Sequence, residues 1–334
     1  LDGTLVATDT LHEALLAVLK RQPLALLRAL PMLREGKAPF KRRIVELVQI
    51  EPASLPYRPE VLTFLEEERS RGTRLVLATA SDERTARDVA EHLGIFDEVV
   101  ASDGARNEKG HIKAERLRSL SADGVFDYIG DSAADLPVWE AARNAYAVDP
   151  APAVLARLDA INPPTRVFAG PGSRASNLLR AFRPHQWAKN LLLFVPLLTS
   201  HQLLDPAGLI AATIGFLAFS AMASAGYVLN DLLDLEADRM HPVKRERPFA
   251  AAVLTPRDGL IAFGGLALLG LALALAFLPT KFVVLLIVYF VATVSYSAFL
   301  KSKLLLDVIL LAGLYTLRVL AGGAAVDVVV SQWL

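Results

Sequence analysis

The sequence predicts two fold classes in one chain: an α/β domain built on a parallel sheet and, after it, an all-helical bundle that crosses a membrane several times. Three observations predict this. Charge is partitioned, with 26 Lys/Arg and 26 Asp/Glu in residues 1–190 but only nine of each in residues 191–334. Short apolar runs alternate with helical segments between Pro59 and Pro150, as strands do when helices cover both faces of their sheet. Beyond Asn190, Asp205 is the only charged residue up to Leu229, and Lys281 is the only one from Gly259 to Leu300.

From the N-terminus, residues 11–50 read as helices. Apolar residues recur at helical spacing in Leu11-His12-Glu13-Ala14-Leu15-Leu16 and again over Ile44–Val48, and Pro23, Pro31 and Pro39 punctuate them. A helix over 60–71, the apolar run Leu75-Val76-Leu77-Ala78, a helix ending near Gly94, and short apolar runs at 98–101 and 128–130 supply the sheet and its cover. Prolines at 150, 152, 163, 164 and 171 place a linker over 161–176, between a domain at 1–160 and another at 177–334. A span needs about 20 apolar residues. Spans are therefore expected at 191–204 with its flanks, 207–229, 259–278, 282–300 and 304–322.

Loop charge orients the bundle. Segment 230–258 holds Arg239, Lys244, Arg245, Arg247 and Arg257, and 301–303 holds Lys301 and Lys303, whereas 199–206 and 279–281 hold only Lys281. Basic loops stay inside, so 230–258 and 301–303 are expected on the cytoplasmic side of an inner or plasma membrane, together with residues 1–190. The chain opens at Leu1-Asp2-Gly3-Thr4 and closes at Trp333-Leu334 as an apolar segment begins, which reads as part of a longer protein.

Composition narrows the chemistry. With 35 basic and 35 acidic residues there is no charge surplus for wholesale nucleic-acid binding, and with no cysteine there are no disulfides, thiolate metal sites or thiol nucleophiles. Carboxylates, hydroxyls, lysines and arginines must carry any reaction.

In the first domain four pieces occur in order: Asp2-Gly3-Thr4, Thr79 at a strand end, Lys113 on a helix, and Gly130-Asp131-Ser132-Ala133-Ala134-Asp135 after a strand. Open α/β sheets bind ligands at the carboxyl ends of their strands. There Thr79 and Lys113 suit phosphate oxygens, and Asp131 and Asp135 suit Mg²⁺. Singly each piece is an ordinary turn, strand end or cap. Together they resemble the haloacid dehalogenase superfamily over about residues 1–150, which implies a Rossmann-like fold with residues 11–58 as a helical cap and a phosphatase-type reaction. The resemblance makes Asp2 the residue that protonates the leaving group and then activates water, and puts the nucleophilic aspartate just before Leu1.

In the second domain Asn230-Asp231-Leu-Leu-Asp234-Leu-Glu-Ala-Asp238 follows an apolar span without a break. On a continuous helix 231, 234 and 238 share one face, and carboxylates so close repel one another unless cations bind, which suits Mg²⁺ with a diphosphate. Donors for the remaining phosphate charge follow in His241-Pro242-Val-Lys244-Arg245-Glu-Arg247-Pro248. Arg183-Pro184-His185-Gln186-Trp187-Ala188-Lys189-Asn190 precedes the first span, Tyr296–Lys301 ends the fourth, and Asp307 and Arg318 lie within the fifth, where ionisable groups mark a substrate path or a pair. These clusters are similar to the UbiA-type prenyltransferase superfamily and, within it, to the branch of decaprenyl-phosphate phosphoribosyltransferases. The resemblance covers about residues 178–334, departs at Ala252, where glycine is expected, and lacks the second acidic motif of the superfamily within the sequence.

What the two resemblances imply is a bifunctional membrane enzyme. Asp231, Asp234 and Asp238 would hold Mg²⁺ on phosphoribosyl diphosphate. Arg183, Lys189, Asn190, Asn230, His241, Lys244, Arg247, Tyr296, Lys301 and Arg318 would bind donor and polyprenyl phosphate. The alternatives are prenyl transfer from a polyprenyl diphosphate to an aromatic or other acceptor, and a soluble domain that regulates without catalysis. The acidic motif fits either transfer; the basic residues Lys244, Arg247, Arg183 and Lys189 favour two phosphate-bearing substrates. Oligomeric state is not legible.

Overall fold

The computed structural model describes residues 1–34, 36–102, 110–121, 123–170, 172–202, 204–297 and 304–331. The chain divides into two compact units, Leu1–Gly172 and Ser173–Leu334.

In the first unit the cap comes early because Asp9 accepts from the Leu11 and His12 amides and starts α1 (Thr10–Arg21). Two more helices follow, α2 (Pro23–Ala29), continued by a 3₁₀ stretch over Leu30–Arg34, and α3 (Lys37–Leu47). Their shared core is Ala14, Val18, Ala29, Phe40, Ile44 and Val48. Then α4 (Pro59–Ser70), β1 (Val76–Asp82), α5 (Glu83–Leu93), β2 (Glu98–Ser102), α6 (His111–Leu120), β3 (Tyr128–Gly130), α7 (Leu136–Ala141), β4 (Ala145–Val148), α8 (Pro152–Ile161) and β5 (Arg166–Phe168) alternate; the sequence predicts the strands as far as β3, and β5, paired with β4, corrects the linker expected over 161–176. All strand pairs are parallel.

Of the expected Rossmann-like sheet, the described residues show two small parallel pieces. The strands make two small sheets, β1-β2 and β3-β4-β5, and no ladder joins them among the described residues. A cavity of about 420 Å³ separates Leu75–Ala78 on one side from Val125–Ile129 on the other, with Leu1 and Leu5 also at its wall. Apolar side chains line much of it, and each core draws on both sheets: Leu77 of β1 clusters with Val148 of β4 and Phe168 of β5, while Val76 and Ala78 of β1 pack against the cluster of Trp139, Ala145, Ala147 and Leu158.

The second unit opens with α9 (Arg174–Phe182), a 3₁₀ segment over Pro184–Phe194 and the short α10 (Val195–Thr199). This corrects the expected span at 191–204: α10 has five residues, Pro196 lies in its first turn, and His201 takes a left-handed φ of 58° just beyond it. The long helix is α11 (Pro206–Leu233), capped by Asp205 on the Ala207 and Gly208 amides. Its 28 residues rise about 42 Å, more than the hydrocarbon core of about 30 Å, so one end projects past the apolar slab. After α12 (Leu235–Met240) come α13 (Pro256–Phe277), α14 (Thr280–Ser295) and α15 (Leu304–Ala325). Among the described residues α11, α13 and Val308–Ala325 are long and apolar enough to cross a membrane, and α14 is a shorter apolar helix of 16 residues.

Small residues set the packing of this unit. A Cβ on Gly270 would stand 2.8 Å from the Ala218 carbonyl oxygen, and one on Gly322 2.1 Å from that of Leu193, so α13 and α15 pack directly against backbone. Phe219, Phe282, Leu286 and Tyr289 fill the space between the helices.

Candidate functional site

Each unit has a cluster of buried carboxylates. In the first, the tight turn at Gly3 (φ 72°) brings residues 2–4 against the ends of β1 and β3. A Cβ there would come within 2.3 Å of an Asp131 carboxylate oxygen, so only glycine allows this approach. Asp2 accepts from the Thr10 amide at 3.0 Å and from the Ser81 hydroxyl. Thr4 donates to Asp131 at 2.8 Å. Arg58 braces the turn by donating to the Gly3 carbonyl at 3.1 Å.

Lys113, Tyr128 and Asp135 are buried together. Lys113 Nζ donates to the Tyr128 hydroxyl at 3.0 Å and lies 3.4 Å from Asp135, while that hydroxyl donates to Asp135 at 2.7 Å. The Ser132 amide and hydroxyl, each at 3.2 Å, and the Asp131 amide at 3.3 Å complete the donors on Asp135. Burial pushes Asp135 up, but the Lys113 ammonium and these hydrogen bonds outweigh it and hold the carboxyl below its ordinary range. Asp131 goes the other way: burial, and then the neighbouring Asp135 charge, push it up to about 6. Thr79, expected to meet phosphate, instead bonds Ser81 at 2.9 Å, and Ser81 is the hydroxyl that reaches Asp2. Both lie on one face of β1.

A divalent cation fits this cluster at Asp131 with Asp2. Asp131 is a desolvated carboxylate whose neighbours among the titrating groups include two more carboxylates, so positive charge there would relieve the repulsion. Asp135 is committed to Lys113, Tyr128 and the loop amides. Among the described residues no three acidic or histidine side chains converge as a ready-made ligand set.

In the second unit the expected continuous helix breaks. α11 ends at Leu233, and Asp234, at φ −102° and ψ 7°, turns the chain into α12. Hydrogen bonds four residues apart continue through the turn, from the Asp234 amide to the Asn230 carbonyl at 3.0 Å and from the Asp238 amide to the Asp234 carbonyl at 2.8 Å, so Asp231 and Asp238 still face one arginine. Both carboxylates are buried, each residue 2 % exposed. Arg247 Nη1 contacts Asp238 at 2.7 Å and Asp231 at 3.2 Å, and Arg183 Nη2 contacts Asp231 at 2.6 Å. Two guanidinium groups thus stand against these carboxylates. Arg183 reaches Asp231 from a left-handed backbone (φ 53°) just after α9, with its guanidinium 5.4 Å from the Tyr227 ring. Arg247 leads into the turn 247–254, where the Ala251 amide bonds the Arg247 carbonyl at 2.8 Å. In that turn Ala252 sits at φ 53°, a conformation that favours the glycine expected there.

Deeper in the same unit, Arg318 is 5 % exposed. Its Nε donates to Asn190 at 2.9 Å, Nη2 to the Tyr289 hydroxyl at 3.0 Å and Nη1 to the Leu314 carbonyl at 2.6 Å. Asn190 in turn donates to Ser220 at 3.0 Å, and Trp187 to Ser224 at 3.0 Å. Lys189 and Lys244 are exposed, and Asn230 is half-buried, its carbonyl accepting from the Asp234 amide at 3.0 Å. His241 is spent locally, its Nδ1 accepting from the Val243 and Lys244 amides. Tyr296 is half-buried at the end of α14. Lys301 lies outside the described residues, as does the side chain of Asp307.

Sequence reasoning missed Ser81, Tyr128 and Tyr289. Ser81 had a signal, the i, i+2 hydroxyl pair Thr79/Ser81 on one strand. Tyr128 and Tyr289 sit in apolar runs that read as core.

Comparison with known proteins agrees with this division. Residues 1–140 match the haloacid dehalogenase-like hydrolase family and residues 191–334 the UbiA prenyltransferase family, so the chain carries one domain of each kind. Over its full length it is 38 % identical to the uncharacterized protein y4nM of Sinorhizobium fredii, covering 64 % of that protein. Over 49 % of its length it is 37 % identical to decaprenyl-phosphate phosphoribosyltransferase of Corynebacterium glutamicum, covering 50 % of it. Over 44 % of its length it is 38 % identical to the nodulation protein NoeC of Azorhizobium caulinodans, covering 48 %. The chain thus spans between about half and two thirds of the length of these relatives.

Proposed function

We propose that the membrane unit transfers a phosphoribosyl group from phosphoribosyl diphosphate to a polyprenyl phosphate, and that the soluble unit is a Mg²⁺-dependent phosphatase-like domain on the cytoplasmic side of the same membrane. The observation that carries this reading is the Arg183–Asp231–Arg247–Asp238 network near the end of α11. Two buried carboxylates and two arginines in one cluster are the two halves of a receptor for a metal-bound diphosphate, and in its absence they neutralise each other. The 37 % identity to a protein named decaprenyl-phosphate phosphoribosyltransferase supports the choice of donor and acceptor.

In this reading a lipid phosphate oxygen attacks the anomeric carbon of the sugar, the carbon–oxygen bond to diphosphate breaks, and diphosphate leaves. Arg183 and Arg247 turn to the diphosphate oxygens, which frees Asp231 and Asp238 as metal ligands. Mg²⁺ held there would neutralise charge on the leaving group. Exposed Lys189 and Lys244 supply cationic contacts for the lipid phosphate, and Arg318, fixed by Asn190 and Tyr289, lends positive potential from within the bundle. In the soluble unit, Asp131 and Asp2 would hold the cation and Lys113 would face a phosphate. Transfer leaves a sugar 5-phosphate, a substrate of the kind a phosphatase domain takes, and fusion raises its effective concentration there.

The test is incubation of the full-length protein in membranes with Mg²⁺, labelled phosphoribosyl diphosphate and polyprenyl phosphate. Label should enter the lipid with release of diphosphate, and Asp231→Asn should abolish it. Transfer seen only from a polyprenyl diphosphate to a non-phosphate acceptor would replace this reading with prenyl transfer. Asp2→Asn should let the 5-phosphorylated lipid accumulate, which mass spectrometry reads.

A further inference from the structure

The cap carries a leucine row that its own core does not use. Along α2 and the 3₁₀ stretch after it, Leu26, Ala29 and Met32 point into the cap core with Val18 and Ile44. One step out of phase, Leu24, Leu27, Leu30 and Leu33 are 67, 61, 44 and 48 % exposed. Leucines at three-residue spacing stay near one face through a short helix and eclipse in a 3₁₀ turn, so the four make a ridge. Arg21, Arg28 and Arg34 are exposed on the same segment. Residues 20–43 hold eight Lys/Arg against the single Glu35, a local surplus in a chain whose total charge is zero.

From this juxtaposition we infer that the α2 ridge is a membrane-surface contact: Leu24, Leu27, Leu30 and Leu33 enter the headgroup and acyl boundary of a bilayer, and the flanking arginines meet anionic lipid headgroups. Two features select a lipid surface over other occupants. Apolar ridges flanked by Lys/Arg are what interfacial helices present, and the positive surplus complements anionic lipids. The same chain also carries helices apolar enough to span, so a bilayer is always within reach of its own soluble unit, without loss of translational entropy. The consequence is a cap held at the surface where a lipid-linked phosphate resides.

The chain has no cysteine, so single probes report cleanly. Leu27→Cys and, as a control on the exposed face of α6, Ser119→Cys would each be labelled with an environment-sensitive fluorophore in the full chain. Each protein would be reconstituted into vesicles of phosphatidylcholine alone or with phosphatidylglycerol, with and without a brominated-lipid quencher. Quenching at position 27 should exceed that at 119 about threefold or more in the anionic vesicles, and Arg28→Glu with Arg34→Glu should remove most of the difference. Equal quenching at the two positions would overturn the inference, and so would equal quenching at position 27 in neutral and anionic vesicles. In a parallel sample left unlabelled, a disulfide between Leu27→Cys copies, together with absent lipid quenching in the labelled sample, would overturn the inference in favour of a self-association surface. Flotation of the protein with the vesicles reads the spans separately, so failure of the membrane reading and failure of the cap contact are distinguishable.

Discussion

The two carboxylate clusters solve the same electrostatic problem in opposite ways. In the first unit one carboxylate is satisfied and one is not: Asp135 is taken by Lys113 and Tyr128, while Asp131 has the Thr4 hydroxyl beside it and a pKa pushed up to about 6. In the membrane unit Asp231 and Asp238 are both closed by arginine. The first arrangement leaves negative charge for a cation to balance, and the second stores its cations in the protein. Two buried carboxylates beside an apolar bundle need a counter-charge at all times, because an unpaired buried ion costs several kcal/mol.

The largest effect that should break the comparison is loss of Arg247. Arg247→Leu leaves Asp238 without its arginine and Asp231 with Arg183 only, and should cost about 3–5 kcal/mol of stability. Chemical denaturation in detergent reads this directly. Adding Asp238→Asn should recover part of the loss, and a variant as stable as the parent would show that the network is a surface pairing.

Next is the pH response of the first unit. Asp131 has a folded pKa of about 6 against 3.8 unfolded, so between these values the folded state holds more protons and stability from this group falls as pH rises through the window. The size is about 2–3 kcal/mol for a shift of roughly two units. Asp135, held low, works against it: its contribution is present above the unfolded pKa and lost in acid. Mg²⁺ should therefore stabilise this unit at pH 7.5 and barely at pH 5, measured by denaturation followed through the fully buried Trp139. Equal stabilisation at both pH values would exclude Asp131 as the ligand.

Tyr128→Phe removes the hydroxyl that joins Lys113 to Asp135 and should cost about 1–2 kcal/mol, with the Mg²⁺ response kept because Asp131 is untouched. Ala252→Gly should stabilise the membrane unit by about 1 kcal/mol, since alanine there holds a left-handed backbone in the turn that carries Arg247. A destabilised glycine variant would mean that the alanine methyl packs, and denaturation midpoints separate the two.

The division into two units was legible because charge density and apolar run length are local properties. The four soluble motifs could be ordered for the same reason, since each is a strand end or loop with its own short pattern. What the sequence concealed depends on distant backbone. The acidic spacing foresaw that Asp231 and Asp238 come together, but not that Arg247, nine residues beyond Asp238, and the distant Arg183 close on them. Arg183 finds Asp231 across 48 residues because its own φ is positive, a property that arginine does not advertise. Residues 191–204 have the composition of a span, yet Pro196 and the left-handed His201 confine the α-helix there to Val195–Thr199. Strands β1 to β3 were legible as short apolar runs, but β4 was not, and β5 lay hidden in the proline-rich stretch 161–176; pairing partners are set by neighbours far along the chain, so the gap between β1 and β3 left no local trace.

The central claim is that the arginines now closing Asp231 are the ones that receive the donor diphosphate. Equilibrium binding of labelled phosphoribosyl diphosphate to the purified full-length protein, with and without Mg²⁺, tests it most directly. The account predicts Mg²⁺-dependent binding that Arg183→Gln weakens about tenfold or more, equivalent to at least about 1.4 kcal/mol. Binding of equal strength in parent and variant, or binding indifferent to Mg²⁺, would contradict it.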